Sequence, residues 1–264
     1  MQYTVSYWCA SHIGKLRSVN QDNFICDGQF MELNHESTER PLTGTRLSRD
    51  FSLFGIYDGM GGEECGEIAS HIAAKNAALL TSSKDAVATL SQFCQAANAE
   101  ICSYAKESGI SAMGTTAAML AFTSKKITLC NIGDSKIFRF CGGTLEQISK
   151  DHVAISAFGK KPPLSQNLGI PPTELLIEPY ISQGRYQNGD LYLICSDGLT
   201  DMVSNAEITQ ILDSGSPYES ADALLERALQ AGGRDNVTII LLEVKKRKRE
   251  LFHILRKDNG GRKV

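Results

Sequence analysis

The sequence predicts an α+β fold. Nine short apolar runs, rich in β-branched and aromatic residues, are interrupted by two pairs of consecutive helical stretches, not by single helices between successive strands. With 264 residues, 42% hydrophobic and 22% charged, and with no internal repeat or low-complexity linker, the chain fits one large domain with its own core.

The predicted strands are 3–9, 24–30, 52–57, 117–122, 127–132, 136–141, 174–181, 190–196 and 238–244. Each is short, apolar and rich in β-branched or aromatic residues. The alanine-rich stretches 64–80 and 84–106 read as the first helix pair, and 205–213 with 217–231 as the second. Residues 1–244 therefore form the expected domain, and 245–264 a basic tail.

Charge divides the chain in the same place. The net charge is −3, but the tail holds nine Lys or Arg against Glu250 and Asp258, which leaves −10 on residues 1–244. An acidic body disfavours nucleic acid as a partner. The tail mixes its charges with Leu251, Phe252, Ile254 and Leu255, and suits an acidic membrane surface, a partner protein or the chain's own acidic body. The first residues lack the basic and apolar regions of a signal peptide, and no window nears about twenty unbroken apolar residues, so the expected location is the cytoplasm. Eight cysteines with no Cys-x-x-Cys pair read as free, buried thiols and not as disulfides or zinc ligands.

Three acidic loops carry the chemistry: Asp58-Gly59-Met60-Gly61-Gly62, Ser196-Asp197-Gly198-Leu199-Thr200-Asp201 and Gly232-Gly233-Arg234-Asp235-Asn236-Val237-Thr238. Each sets an aspartate at the end or start of an apolar run, beside glycines that allow close backbone approach. Carboxylates converging from distant segments need a cation, and oxygen-only donors favour Mg²⁺, Mn²⁺ or Ca²⁺ over Zn²⁺. Asp201 follows Asp197 by one helical turn, so a turn starting at Asp197 points both the same way.

With Gly14-Lys15-Leu16-Arg17-Ser18-Val19-Asn20-Gln21-Asp22-Asn23-Phe24, these loops make the chain resemble the metal-dependent protein phosphatase 2C (PP2C-type, PPM) family of serine/threonine phosphatases, in its compact bacterial-type branch. Met113-Gly114-Thr115-Thr116, Asn131-Ile132-Gly133-Asp134-Ser135-Lys136, Asp151-His152 and Leu168-Gly169 stand in the family's order, so the likeness spans residues 11–244. The resemblance implies a central sandwich of two antiparallel sheets flanked by helix pairs, with two Mn²⁺ or Mg²⁺ ions in a cleft at one end. It implies that Asp58 bridges both ions, that the Gly59 carbonyl holds the second, and that Asp197 and Asp235 complete the first. Arg17 matches the phosphate-holding arginine and Asp22 an aspartate near the metals. Asp134 and Asp201 match ligands of a third, weaker ion.

The implied reaction is direct attack on phosphoserine or phosphothreonine by a water or hydroxide bridging the ions, without a phosphoenzyme. The implied partners are phosphoprotein substrates and a cognate Ser/Thr kinase, with a monomer as the default. Four features depart from the family pattern. Gln21 stands where many relatives ligate the second metal with glutamate. Met60 replaces the histidine proposed as general acid in animal-type relatives, and His12 stands where an aspartate often braces the arginine. The segment 153–167 is a short flap that carries Lys160 and Lys161. Two competing classes are a non-catalytic binding module and a metal-dependent nuclease or small-molecule phosphohydrolase.

Overall fold

The computed structural model describes residues 2–48, 50–60, 65–124, 126–155 and 162–247. Two antiparallel sheets lie face to face. In one, the spatial order is β3 (Leu42–Leu47), β1 (Tyr3–His12), β12 (Val237–Lys246), β11 (Leu191–Cys195), β8 (Lys136–Cys141) and β9 (Thr144–Gln147). In the other it is β10 (Tyr180–Gly184), β7 (Ile127–Ile132), β6 (Ala117–Phe122), β4 (Ser52–Met60) and β2 (Asp22–Cys26), with the two-residue β5 (Gly114–Thr115) pairing beside β4. Helices α1 (Gly66–Ala78) and α2 (Ala86–Ser108) cover the second sheet, and α4 (Asn205–Ser214) and α5 (Pro217–Gln230) cover the first. A single turn, α3 (Asp197–Thr200), follows β11. The expected sandwich flanked by helix pairs is the observed one.

Strands buried on both faces explain the unbroken apolar runs. In β6, Ala117, Met119 and Ala121 pack under the first helix pair, while Ala118, Leu120 and Phe122 face the opposite sheet. In β12, Val237, Ile239 and Leu241 meet the second helix pair, and Ile240, Leu242 and Val244 point between the sheets. Helix ends are set locally. The Asp85 carboxylate accepts from Val87 and Ala88 N–H, and Ser204–Glu207 and Ser216–Glu219 form capping boxes.

Three expectations need correction. The run 24–30 ends at Cys26, because Asp27 and Gly28 take positive φ and close a tight turn in which Cys26 and Gln29 exchange backbone hydrogen bonds. The run 174–181 is a strand only from Tyr180, since Pro171 starts a turn whose carbonyl accepts from Glu174 and Leu175 N–H. Edge strands β3 and β9 were not foreseen, being short and largely exposed. All eight cysteines are free, but Cys141 is exposed and Cys65 and Cys102 are half-buried. Strand β12 carries on through Lys245 and Lys246, and the tail from residue 248, like Lys160 and Lys161, lies outside the described residues. Among the described residues no helix is long and apolar enough to cross a membrane.

Between the sheets, Phe122 has ring partners in Phe54, Tyr186 and Tyr192, at centroid distances of 6.0, 5.7 and 5.9 Å. Phe122→Ala leaves a cavity in a layer closed on both sides. Urea denaturation is expected to show a loss of about 3–5 kcal/mol, and a loss below about 1 kcal/mol would contradict this packing.

Candidate metal centre

The inter-sheet layer changes character at one end. On the faces that point between the sheets, Cys26 and Phe24 are preceded by Asp22, and Phe54 and Ile56 are followed by Asp58. Likewise Tyr192 and Ile194 lead to Ser196, and Ile240 is preceded by Thr238. Strand period two thus delivers two carboxylates and two hydroxyls to the same end of one layer. Asp22 and Asp58 are direct cross-strand partners.

Asp22 is buried at 1% exposure. The hydroxyls of Ser196 and Thr238 each donate to its Oδ2 at 2.7 Å. Ser11 Oγ lies 2.8 Å from Thr238 Oγ1, and the Asn20 amide donates to Ser11 Oγ at 2.9 Å. Burial pushes the Asp22 carboxyl up to about 7, against those two hydrogen bonds and helped by Asp197 and Asp235. The Asp58 carboxyl is held well above the ordinary carboxylate range, first by burial and then by Asp197, Asp22, Asp134 and Asp235. Four of the other predicted aspartates therefore bear on Asp58.

The backbone at Asp58 is fixed from both sides. Thr116 N–H and the Thr115 hydroxyl donate to its carbonyl at 2.9 and 3.0 Å, and its own N–H donates to Thr116 Oγ1 at 3.0 Å. A Cβ on Gly59 would stand 2.2 Å from the Gly66 carbonyl oxygen and 2.5 Å from that of Gln21, so only glycine fits between them. Asp197 opens α3, and Asp201 N–H donates to the Asp197 carbonyl at 2.8 Å, which is the single turn foreseen between them. Asp201 is exposed, and Asp134 is half-buried in the turn between β7 and β8.

Arg17 donates from Nη2 to Asp235 Oδ2 at 2.6 Å, with 47% of its side chain exposed. The loop that carries it is tied to β12 by Asn236, whose amide donates to the Ile13 and Val19 carbonyls at 2.9 and 3.0 Å and accepts from Gln21 N–H at 2.9 Å. Gly14, at φ +85°, lies so close that a Cβ would be 2.3 Å from the Asp235 carbonyl oxygen. His12 does not touch Arg17: its Nδ1 accepts from Gly14 N–H at 2.8 Å, and burial lowers its pKa. The Gln21 side-chain amide donates to Glu67 Oε2 at 3.2 Å, on the first turn of α1. Burial pushes the Cys195 thiol up to about 12, which makes it an inert core residue. Gly61 and Gly62 lie outside the described residues.

Sequence reasoning assigned no role to Ser11, Asn20, Glu67, Ser196, Asn236 or Thr238. Ser196, Asn236 and Thr238 stood inside the quoted loops, and that adjacency was the available signal. Among the described residues no three His, Cys, Asp or Glu side chains by themselves enclose an ion. The donor set is nonetheless all oxygen, with mutually repelling carboxylates and a close-packed Gly59 backbone. That fits hard divalent ions that keep several waters and take one or two carboxylates each.

A family model described as protein phosphatase 2C matches residues 43–232. The serine/threonine protein phosphatase PstP of Mycobacterium tuberculosis is 33% identical over 207 residues, which cover 73% of this chain and 40% of that protein. The chain thus spans about two fifths of the length of this relative. The serine/threonine phosphatase stp of Listeria welshimeri is 30% identical over 208 residues, covering 71% of this chain and 82% of that one. The crystal structure of the catalytic domain of PstP in complex with two manganese ions is similar with a TM-score of 0.74 at 30% identity, over 92% of this chain and all of that domain.

A carboxyl raised on folding sets a pH dependence. With a folded value of about 7 against an ordinary 3.8, Asp22 keeps a proton that the unfolded chain has lost, so stability falls as pH rises through that window. In EDTA, the Tm is expected to drop between about pH 5 and about pH 8, less steeply in Asp22→Asn, and to recover with millimolar Mn²⁺. A metal-free Tm that rises over this range, equally in both proteins, would contradict the proposed origin.

Proposed function

Since the chain belongs to the protein phosphatase 2C family, we propose that it is a metal-dependent protein serine/threonine phosphatase, with residues 1–244 as its catalytic domain. The observation that carries this reading is Asp58 with Asp22, Asp134, Asp197 and Asp235 bearing on it at the end of the sandwich, beside the Arg17–Asp235 pair. The names of the relatives and the two manganese ions of the PstP catalytic domain support it.

In this reading Asp58, the Gly59 carbonyl, Asp197 and Asp235 would hold two Mn²⁺ or Mg²⁺ ions. Asp22 would support them without being a certain direct ligand, and Asp134 with Asp201 would serve a third, weaker one. When bound, the ions supply positive charge to the phosphoryl oxygens and make water acidic enough to serve as nucleophile near neutral pH. The chain's own part is largely positioning. Arg17 offers a planar fork to two phosphate oxygens, and its half-exposed pair with Asp235 leaves it able to exchange one anionic partner for another. Asn236 holds the Arg17 loop at three points.

Among the described residues, neither Met60 nor His12 is suited to deliver a proton to the leaving oxygen. Met60 carries no proton, and His12 turns its Nδ1 to Gly14 while burial favours its neutral form. Solvent therefore supplies that proton. The Gln21–Glu67 contact places a carboxylate directly behind the amide that replaces a family glutamate. The proposed substrates are phosphoproteins, and the proposed counterpart is the Ser/Thr kinase that makes them. The basic tail is proposed to make peripheral contacts with a membrane surface or a protein.

Hydrolysis of p-nitrophenyl phosphate and of a phosphothreonine peptide is expected with Mn²⁺ and not in EDTA. Asp58→Asn should lower kcat by at least about 10³, and Arg17→Ala should mainly raise KM for the peptide, by about tenfold. Undiminished activity in EDTA, or in Asp58→Asn, would refute the reading.

A further inference from the structure

We infer that a groove beside the carboxylate cluster receives a large apolar side chain of the substrate polypeptide, a few residues from the phosphorylated one; this rests on the phosphatase reading above. The groove has a volume of about 640 Å³ and lies between the end of α2, β5 and the segment 167–174. That volume falls within the roughly 300–1,000 Å³ of ordinary ligand sites. Met60, Ile110, Met113 and Ile170 give it an apolar lining, and Lys106 and Glu174 bring charges of both signs.

Continuity with the cluster identifies the occupant. Met60 lies two residues beyond Asp58 on β4 and pairs with Gly114, which also lines the groove. The next residue, Thr115, donates its hydroxyl to the Asp58 carbonyl. The backbone that fixes Asp58 thus also forms a wall of the groove. An extended chain advances about 3.3 Å per residue, so a substrate anchored by its phosphate over Asp58 brings a side chain two or three positions away to this opening. The two residues that follow Glu174 in the chain, Leu175 and Leu176, are apolar and 43% and 71% exposed. Exposed apolar surface contiguous with a lined groove is characteristic of an interaction site.

The groove therefore gives preference to sequence context, acting on kcat/KM for peptides and not on the chemistry itself. Ala112 lines it and is exposed, so a larger residue there fills the groove without entering the core. The test uses the full chain with Mn²⁺, p-nitrophenyl phosphate, and phosphothreonine peptides that differ only by Leu or Ser at each of the three positions on either side. The expected result is a preference for Leu at one or two positions of about tenfold in kcat/KM, the scale of one apolar side chain in a pocket. Ala112→Trp and Ala112→Glu should reduce that preference to within about twofold, with p-nitrophenyl phosphate turnover unchanged. No preference in the unaltered protein, or one that survives both substitutions, overturns the inference. So does a change in oligomeric state on substitution with selectivity intact. If the unaltered protein fails on p-nitrophenyl phosphate itself, the phosphatase reading falls first, which separates the two failures.

Discussion

Asp58 stands at the end of an apolar layer with four other aspartates bearing on its charge, and the surrounding structure is arranged to tolerate that. Burying a lone carboxylate is costly, and each further carboxylate within a few ångströms adds to the cost. The chain offsets part of it with directed hydroxyls. Ser196 and Thr238 both donate to Asp22, and Ser11 and Asn20 continue that line behind them. The remaining cost calls for cations, and an all-oxygen donor set selects hard ones. The same sandwich that makes a dry, rigid layer between its sheets thereby makes a site whose charge is completed from solution.

Rigidity is distributed unevenly around that site. Asp58 is gripped through its backbone by Thr115 and Thr116, and Gly59 is wedged against the carbonyls of Gln21 and Gly66. Among the described residues nothing comparable holds Arg17, whose side chain is half exposed and whose partner Asp235 also bears on Asp58. Its loop is nevertheless anchored by Asn236 and pressed onto Asp235 at Gly14. A fixed base under an exposed guanidinium suits the phosphate-holding role proposed for Arg17, since exposed ion pairs are worth about 0–1 kcal/mol and exchange readily.

How much of this the sequence disclosed depends on the range of the interactions involved. Strands β6 and β7 were legible to the residue because both their faces are buried and their sequences are almost wholly apolar, and β8 because Ile137, Phe138 and Phe140 are aromatic or β-branched and a Gly pair follows it. β3 and β9 were not, since edge strands pair on one side and need little apolar content. Leu175 and Leu176 misled because they look like strand interior and are exposed. In the site, the aspartates were legible through their Asp-Gly and Gly-rich surroundings, which are local. Their supports were not: Thr238 reaches Asp22 across 216 positions, and Asn236 reaches Val19 across 217. No periodicity or spacing encodes such a contact.

The departures from the family pattern have a common physical consequence. Gln21 removes a negative charge from beside the cluster, and its amide turns to Glu67, so the charge is moved one shell outward and not lost. Met60 removes a proton donor, and His12 is a poor replacement because burial favours its neutral form, a weak acid. Among the described residues, what bears on Asp58 is a set of carboxylates, one of which pairs with an arginine. In the phosphatase reading proposed above, such a site distinguishes substrates poorly by chemistry, because every phosphate monoester presents it with the same group. Discrimination then falls to surfaces adjoining the cluster, and the groove behind Met60 is contiguous with it through β4 and β5.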